Sequence, residues 1–201
     1  MSQIRASVDV PAPATGAALS EEFRERILKG ALRSIARYGL DRSSIASIAR
    51  ESAVSRQTVY AYYGTREDVL RDAVTRSATD LIAEVVGRAR EAKNAGEFLV
   101  ELTVGAYYGV REDPAISAML YSLDTAEGRE LTMSAPILDI VVAALRPILE
   151  FDPTLEPRLD VIAETCMRMQ VSLLTFPSER TRSPEALRSY LAELVSPLTN
   201  S

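Results

Sequence analysis

The chain is expected to be all-α, with an N-terminal three-helix helix-turn-helix unit joined to a larger helical body, about nine helices in all. Three observations lead there. Apolar residues recur at helical spacing in segment after segment, most segments open on a hydroxyl or acid that suits an N-cap, and no two alternating runs lie together as a strand pair. At 201 residues and 47% hydrophobic, the chain can bury a core without disulfide or metal staples.

Residues 1–19, rich in Ala, Pro, Ser and Thr without a sustained period, read as a disordered arm. The first helix is expected from Ser20 as N-cap, with Glu21 and Glu22 at the positive end of the helix dipole and Phe23, Ile27, Ala31, Ile35 and Tyr38 near one face. Gly39 ends it. A short second helix fits Ser44 to Ser52, capped by the Ser44 hydroxyl and burying Ile45, Ile48 and Ala49. After Ala53-Val54-Ser55 a third begins, with Val59 and Tyr63 four apart on its inner face. Gly64 closes it and Thr65 is placed to cap a long connecting helix of some twenty-five residues, so the first unit spans 20–66 and the body 67–201.

In the body, "GEFLVELTVGAYYGV" reads as a buried helix and Asp113-Pro114 as a cap followed by proline in the first turn of the next. Pro136 lies in or ahead of the helix "ILDIVVAALRPILEF". The last two helices are expected over Leu155 to Phe176, starting near Pro157, and from Ser183-Pro184-Glu185 to about Leu198.

Composition removes much enzymology. There is no histidine and one cysteine, Cys166, so Ser-His-Asp triads, Cys-His pairs and internal disulfides are impossible, and neither GxGxxG nor a Walker sequence occurs. No enzyme activity, cofactor or metal is expected. No run approaches the length of a membrane span and no apolar leader opens the chain, so a cytoplasmic protein without membrane contact is expected. The net charge of −5 is unevenly spread: residues 1–76 hold 12 Lys and Arg against 9 Asp and Glu, the remainder 11 against 19. Between residues 42 and 66 lie Arg42, Arg50, Arg56 and Arg66 with Glu51 as the single acid. That local excess suits phosphate.

Three short helices with a three-residue connection between the second and third have helix-turn-helix proportions. The third begins with Arg56, Gln57 and Thr58 and continues with Tyr60 and Tyr62, and no acid occurs from Ser52 to Arg66. Arginine can pair with guanine and glutamine with adenine in the major groove, while hydroxyls suit phosphate oxygens.

The stretch "GLDRSSIASIARESAVSRQTVYAYYGTREDVL" resembles the DNA-binding signature of the TetR family of transcriptional regulators, the match running from about Ser20 to Leu70. The resemblance implies base or backbone contacts by Arg56, Gln57 and Thr58, phosphate contacts by Ser44, Ser55, Tyr60, Tyr62 and Arg66, and a core role for Tyr63. Ala53 stands where the turn more often has Gly, Ala46 where a basic or polar residue is common, Arg66 for the usual Lys and Tyr63 for the usual Phe. It further implies a homodimer on a palindromic double-stranded operator, and a body that holds a small effector and drives release from DNA, acting as a repressor rather than an activator. Control through a protein partner without a ligand, or a helical enzyme or carrier on the same scaffold, are the alternatives.

For a largely apolar effector the candidates are Tyr107, Met119, Tyr121 and Met167, aromatic or adaptable side chains suited to a cavity. Ile162, Cys166, Met169 and Leu173 form one apolar stripe, and Leu187, Tyr190, Leu191 and Leu194 another. Either stripe can pack within the monomer. By resemblance they make a four-helix dimer interface.

Overall fold

A computed structural model describes residues 16–120 and 122–199. Among these residues there is no strand, and ten α-helices follow in order: α1 (Gly16–Tyr38), α2 (Ile45–Ser52), α3 (Arg56–Tyr62), α4 (Arg66–Ala89), α5 (Ala95–Glu112), α6 (Pro114–Leu120), α7 (Ala126–Thr132), α8 (Ala135–Leu145), α9 (Leu159–Thr175) and α10 (Pro184–Thr199). Short 3₁₀ segments cover Arg146–Glu150, Pro153–Arg158 and Glu179–Thr181. The all-α architecture is as the sequence predicts. The short polar helix α7, "AEGRELT", is the element that apolar periodicity did not reveal.

Helix starts follow the local chemistry. Ser44 accepts a bond from the Ser47 amide (3.2 Å), Thr65 from Asp68 (3.1 Å), and Asp113 from Ala115 and Ile116 (2.8 and 3.0 Å), each satisfying an amide that the first turn leaves open. Pro136 sits in the first turn of α8, where its missing N–H costs nothing. Two starts differ from expectation. Helix α1 begins at Gly16, so Ser20 lies inside it and is no cap; residues 1–15 of the expected arm lie outside the described part. The segment Pro153–Arg158, with Pro157 inside it, is 3₁₀, and α9 starts after it.

Packing divides into two apolar clusters that share α4. One gathers α1, α2, Val59 and Tyr63 with Val69, Leu70, Ala73 and Val74 of α4, and runs on into the body through Ile116 and Met119 of α6, Leu131 of α7 and Ile137 of α8. The other wraps α5 with Val85 and Ala89 of α4, Leu145, Ile148, α9 and α10. The boundary expected at residue 66 is therefore a change of chemistry along the chain rather than a gap between cores.

That second cluster corrects the interface reading. Ile162, Cys166, Leu173, Leu187 and Leu191 are buried inside the monomer, and Met169 and Tyr190 are half-buried against the same core. Of the eight, Leu194 alone is exposed. Periodicity found the apolar stripes, which pack within the same chain, α10 on α5 and α9 on both α8 and α5. Outward from α9 stand Val161 and Phe176, both largely exposed.

The most apolar stretch, Ala126–Glu150, reaches the length and hydropathy of a membrane span. It is broken into α7, α8 and a 3₁₀ segment and carries Arg129, Glu130, Asp139 and Arg146.

Candidate nucleic-acid interface

Helices α2 and α3 have eight and seven residues, too short to hold their shape alone. Their order comes from three local devices. At Gly30, α1 and α2 approach so closely that an added Cβ would lie 2.8 Å from the Ser52 backbone nitrogen. Around the α2 cap, Ser34 donates to Ser43 (3.0 Å) and pairs with Ser47 (2.8 Å), so three buried hydroxyls satisfy one another. At the end of α3, the buried Tyr63 donates to Asp72 Oδ2 (2.8 Å) and accepts from Arg24 Nε (3.4 Å), and Arg24 closes the triangle on Asp72 (2.8 Å). Burial pushes the Tyr63 hydroxyl up to about 12, so it stays a neutral donor. The hydroxyl that a tyrosine adds at this position thus has both partners.

The turn between α2 and α3 is three residues, Ala53-Val54-Ser55, as the sequence suggests. Ala53 occupies the left-handed region at φ 52° and ψ 43°, the one non-glycine with positive φ among the described residues. Its N–H is tied to the α2 carbonyl of Arg50 (3.2 Å) and the Val54 N–H to that of Ala49 (3.0 Å), which over-determines the strained residue.

The outer face of α3 contrasts with this interior. Ser55, Arg56, Gln57 and Tyr60 are exposed, Tyr60 to 56%. Arg56, Gln57 and the Tyr60 hydroxyl make no hydrogen bond or ion pair with any described residue. Ser55 caps α3 by accepting from the Thr58 amide (2.9 Å), and its hydroxyl also pairs with that of Thr58 (2.8 Å), leaving both oxygens at the helix N-terminus beside Arg56. Tyr62 is half-buried with its ring 6.5 Å from Phe23 of α1, so its ring belongs partly to the packing while its hydroxyl is unpaired among the described residues. Ser44 is exposed at the start of α2. The geometry brings together a rigid, acid-free helix face with unmet donors at its N-terminal end, the form that base edges and phosphates accept.

Arg66 differs from expectation. Its side chain is only 20% exposed, and its guanidinium donates to the carbonyls of Leu40 (2.7 Å) and Ser43 and to the carboxylates of Glu127 (2.6 Å) and Glu67 (3.1 Å). Desolvation opposes its charge, and the two carboxylates outweigh it, holding its pKa above the ordinary value. The group is committed within the chain, joining the α1–α2 loop to α7, and is not free for phosphate. No sequence signal pointed to Glu127, which lies 61 residues away.

In the body, a cavity of about 110 Å³ opens among α4 to α9, lined by Val74, Ala78 and Leu81 of α4, by Met119, and by Met167 and Gln170 of α9 among others. Of the residues named from the sequence, Met119 and Met167 line this cavity. Tyr107 does not: it is buried in the α5 core, edge-on to Tyr108 at 5.1 Å and under the Arg111 guanidinium. Tyr121 lies outside the described residues. Cys166, expected at the dimer interface, lines the cavity, its thiol pushed up to about 11 by burial. Thr103, Thr132 and Gln170 were not singled out from the sequence; Gln170, four residues after Cys166 on the inner face of α9, is the one that the apolar period could have flagged.

Residues 27–73 match the family described as "Bacterial regulatory proteins, tetR family". Over most of its length the chain is similar to Rv1255c, an uncharacterized HTH-type transcriptional regulator of Mycobacterium tuberculosis, with 28% identity over 180 residues, 89% of this chain and 86% of that protein. The HTH-type transcriptional regulator AlkX of the same organism is 26% identical over 161 residues, 77% of this chain and 74% of its own. Among solved structures, the TetR family repressor AlkX from Dietzia sp. strain DQ12-45-1b, implicated in biodegradation of n-alkanes, superposes with a TM-score of 0.63 at 19% identity, covering 88% and 94% of the two chains. The fatty acid degradation regulator FadR from Bacillus halodurans gives 0.58 at 18% identity, covering 84% and 97%.

Two outcomes follow from the geometry. Ala53→Gly relieves the left-handed strain and should stabilise the protein by about 0.5 to 1 kcal/mol, a rise in Tm of about 1 to 4 °C with DNA binding unchanged; a fall in Tm would mean that the turn does not hold this conformation. Glu127→Ala removes one anchor of Arg66 and should cost about 0.5 to 1 kcal/mol by thermal unfolding, discounted for its partial exposure, without strengthening DNA binding. Were Glu127 merely a negative charge opposing DNA, the variant would instead bind duplex more tightly at unchanged Tm.

Proposed function

Because the chain belongs to the TetR family and is a helix-turn-helix transcriptional regulator, we propose that it binds a palindromic operator as a homodimer, represses from it, and is released by a small, largely apolar effector held in the body. The observation that carries this is an exposed, unpaired Arg56-Gln57-Tyr60 face on α3 together with an apolar cavity lined by α4, the long helix whose first turns share a core with α3. Arg56, Gln57 and Thr58 are the base-reading candidates. Ser44, Ser55, Tyr60 and Tyr62 hold phosphates, and Arg66 acts from within by fixing the loop that carries Ser44.

Dimerisation uses the outward faces of α9 and α10, where Val161, Phe176 and Leu194 leave apolar area uncovered by the chain's own core. A two-fold pair places two α3 helices about one DNA turn apart, roughly 34 to 36 Å, or a modest multiple. The effector reading is supported by the cavity's apolar lining from α4, whose first turns share a core with α3. A ligand shifts the population off DNA only in so far as it binds the released arrangement more tightly than the operator-bound one.

Selection of bound duplexes from a random pool tests the DNA reading: a two-fold symmetric site should emerge, bound with a steep salt dependence. With that site, Gln57→Ala should relax preference at one position per half-site, a loss of about 1 to 3 kcal/mol of discrimination there. Failure to enrich any site, or salt-indifferent binding, would sink the proposal; a uniform loss across sequences for Gln57→Ala would overturn its role as a base reader.

A further inference from the structure

The cavity's polar groups are few and unequal. Thr103 and Thr132 line it, but each hydroxyl already donates to its own helix, to Leu99 and Gly128 carbonyls at 2.8 Å. Gln170 is different. Its side-chain nitrogen and oxygen are both sealed from solvent, and neither has a hydrogen-bond partner among the described residues. The remaining lining is apolar, without a single Asp, Glu, Lys or Arg. An amide buried this way forfeits its hydration unless something in the cavity pairs with it.

The chemistry of the missing partner follows. A carboxamide presents an N–H donor and a C=O acceptor side by side, and both are met at once by a group with an acceptor and a donor in the mirrored arrangement: a second carboxamide, or a carboxylic acid in its protonated form. A bare hydrocarbon would leave the amide unpaired, and a fixed charge would enter an apolar cavity with no counter-ion. The volume, about 110 Å³, is in the range of an engineered cavity of roughly 150 Å³ that takes benzene. Methionines 119 and 167 give its walls some adaptability for a longer body.

We propose that Gln170 is the specificity-determining residue of the effector site, and that the effector is a neutral molecule with an apolar body and one terminal carboxamide or protonated carboxyl group that pairs with the Gln170 amide. The proposal rests on the reading of the cavity as the effector site. It adds to that reading the polarity, the neutrality and the single anchoring point of the ligand.

A matched set of benzene-sized probes tests it on the full chain: benzamide, toluene, benzylammonium and benzoate, measured by calorimetry and thermal shift on the wild type and on Gln170→Leu, with Gln170→Met as a second, more flexible replacement. The wild type should bind benzamide at least tenfold tighter than toluene and show no binding of benzylammonium. At neutral pH benzoate should bind weakly, and tighten as pH falls toward its own pKa. In Gln170→Leu the order should reverse, toluene now binding at least as well as benzamide. Without any ligand, both variants should melt a few degrees higher than the wild type, since an unpaired buried amide has been replaced by carbon or thioether. If both proteins bind the probes with the same preferences, the role given to Gln170 is wrong while the cavity stands as a ligand site. If neither the wild type nor either variant binds any probe, the cavity reading fails and the proposal with it. A lower unliganded Tm in both variants would mean that the amide is paired within the protein, and would equally overturn the proposal.

Discussion

The Arg66 guanidinium is the constraint on which the arrangement of this protein depends. It stands at the first position of α4, where the DNA-binding unit hands over to the body, and it satisfies acceptors from both sides: the Leu40 and Ser43 carbonyls in the α1–α2 loop and the Glu127 carboxylate of α7. A lysine at this point would offer a single charged centre, whereas the planar fork of an arginine can bond two carbonyls and a carboxylate in fixed directions. The ion pair itself is worth little, being partly exposed. Its weight is geometric: the loop bonded to Arg66 leads directly into the Ser44 cap of α2, so the register of the helix-turn-helix is referred to α7.

The short helices proposed to meet DNA have little order of their own to contribute. Their positions are set by the close approach at Gly30, the Ser34-Ser43-Ser47 hydroxyls and the Arg24-Tyr63-Asp72 triangle, all of which lie on the protein side of α2 and α3. With these interior polar groups of the helix-turn-helix paired, the unpaired ones of α3 collect on its outer face. The departure from phenylalanine at Tyr63 is part of this: its hydroxyl adds a bond from α3 to α4 that a phenyl ring could not make. The departure from glycine at Ala53 has no such compensation, and the strain there is carried by the surrounding hydrogen bonds.

What could be read in the sequence was whatever is local. Ser44, Thr65 and Asp113 act as caps because a cap needs only its own next three residues, and the three-residue turn, the Val59–Tyr63 face and the long connecting helix follow from spacing over one or two turns. Ser20 misled because a serine followed by two acids is the same signal inside a helix as at its start. The stripes on α9 and α10 were found with their partner left open between the monomer's own core and a second copy, since a period of 3.6 reports that a face is buried and not against what. The role of Glu127 was out of reach for a different reason, and the period that puts Gln170 on the inner face of α9 could not show that its amide lacks a partner. Glu127 matters through a contact 61 residues distant, and Gln170 through the absence of a partner that several helices jointly withhold.

The two clusters meet on α4, and that makes the cavity and the DNA face parts of one mechanical problem. Within this helix Val69, Leu70 and Ala73 pack into the helix-turn-helix core, and Val74, Ala78 and Leu81, the next turns along, line the cavity. A helix of 24 residues is about 36 Å long, so a tilt of 5° about its middle displaces each end by about 1.5 Å. Hydrogen bonds to base edges survive only over a few tenths of an ångström. A small rearrangement at the cavity is therefore large on the scale that matters at α3, provided the end of α4 does not slip relative to the unit it carries. Arg66 and the Tyr63 triangle, one at the start of α4 and one at its second turn, are the contacts that prevent such slippage. On the proposed reading, the polar interior of the DNA-binding unit and the apolar interior of the body serve a common end, the first keeping the lever fixed to its load and the second giving an effector somewhere to push.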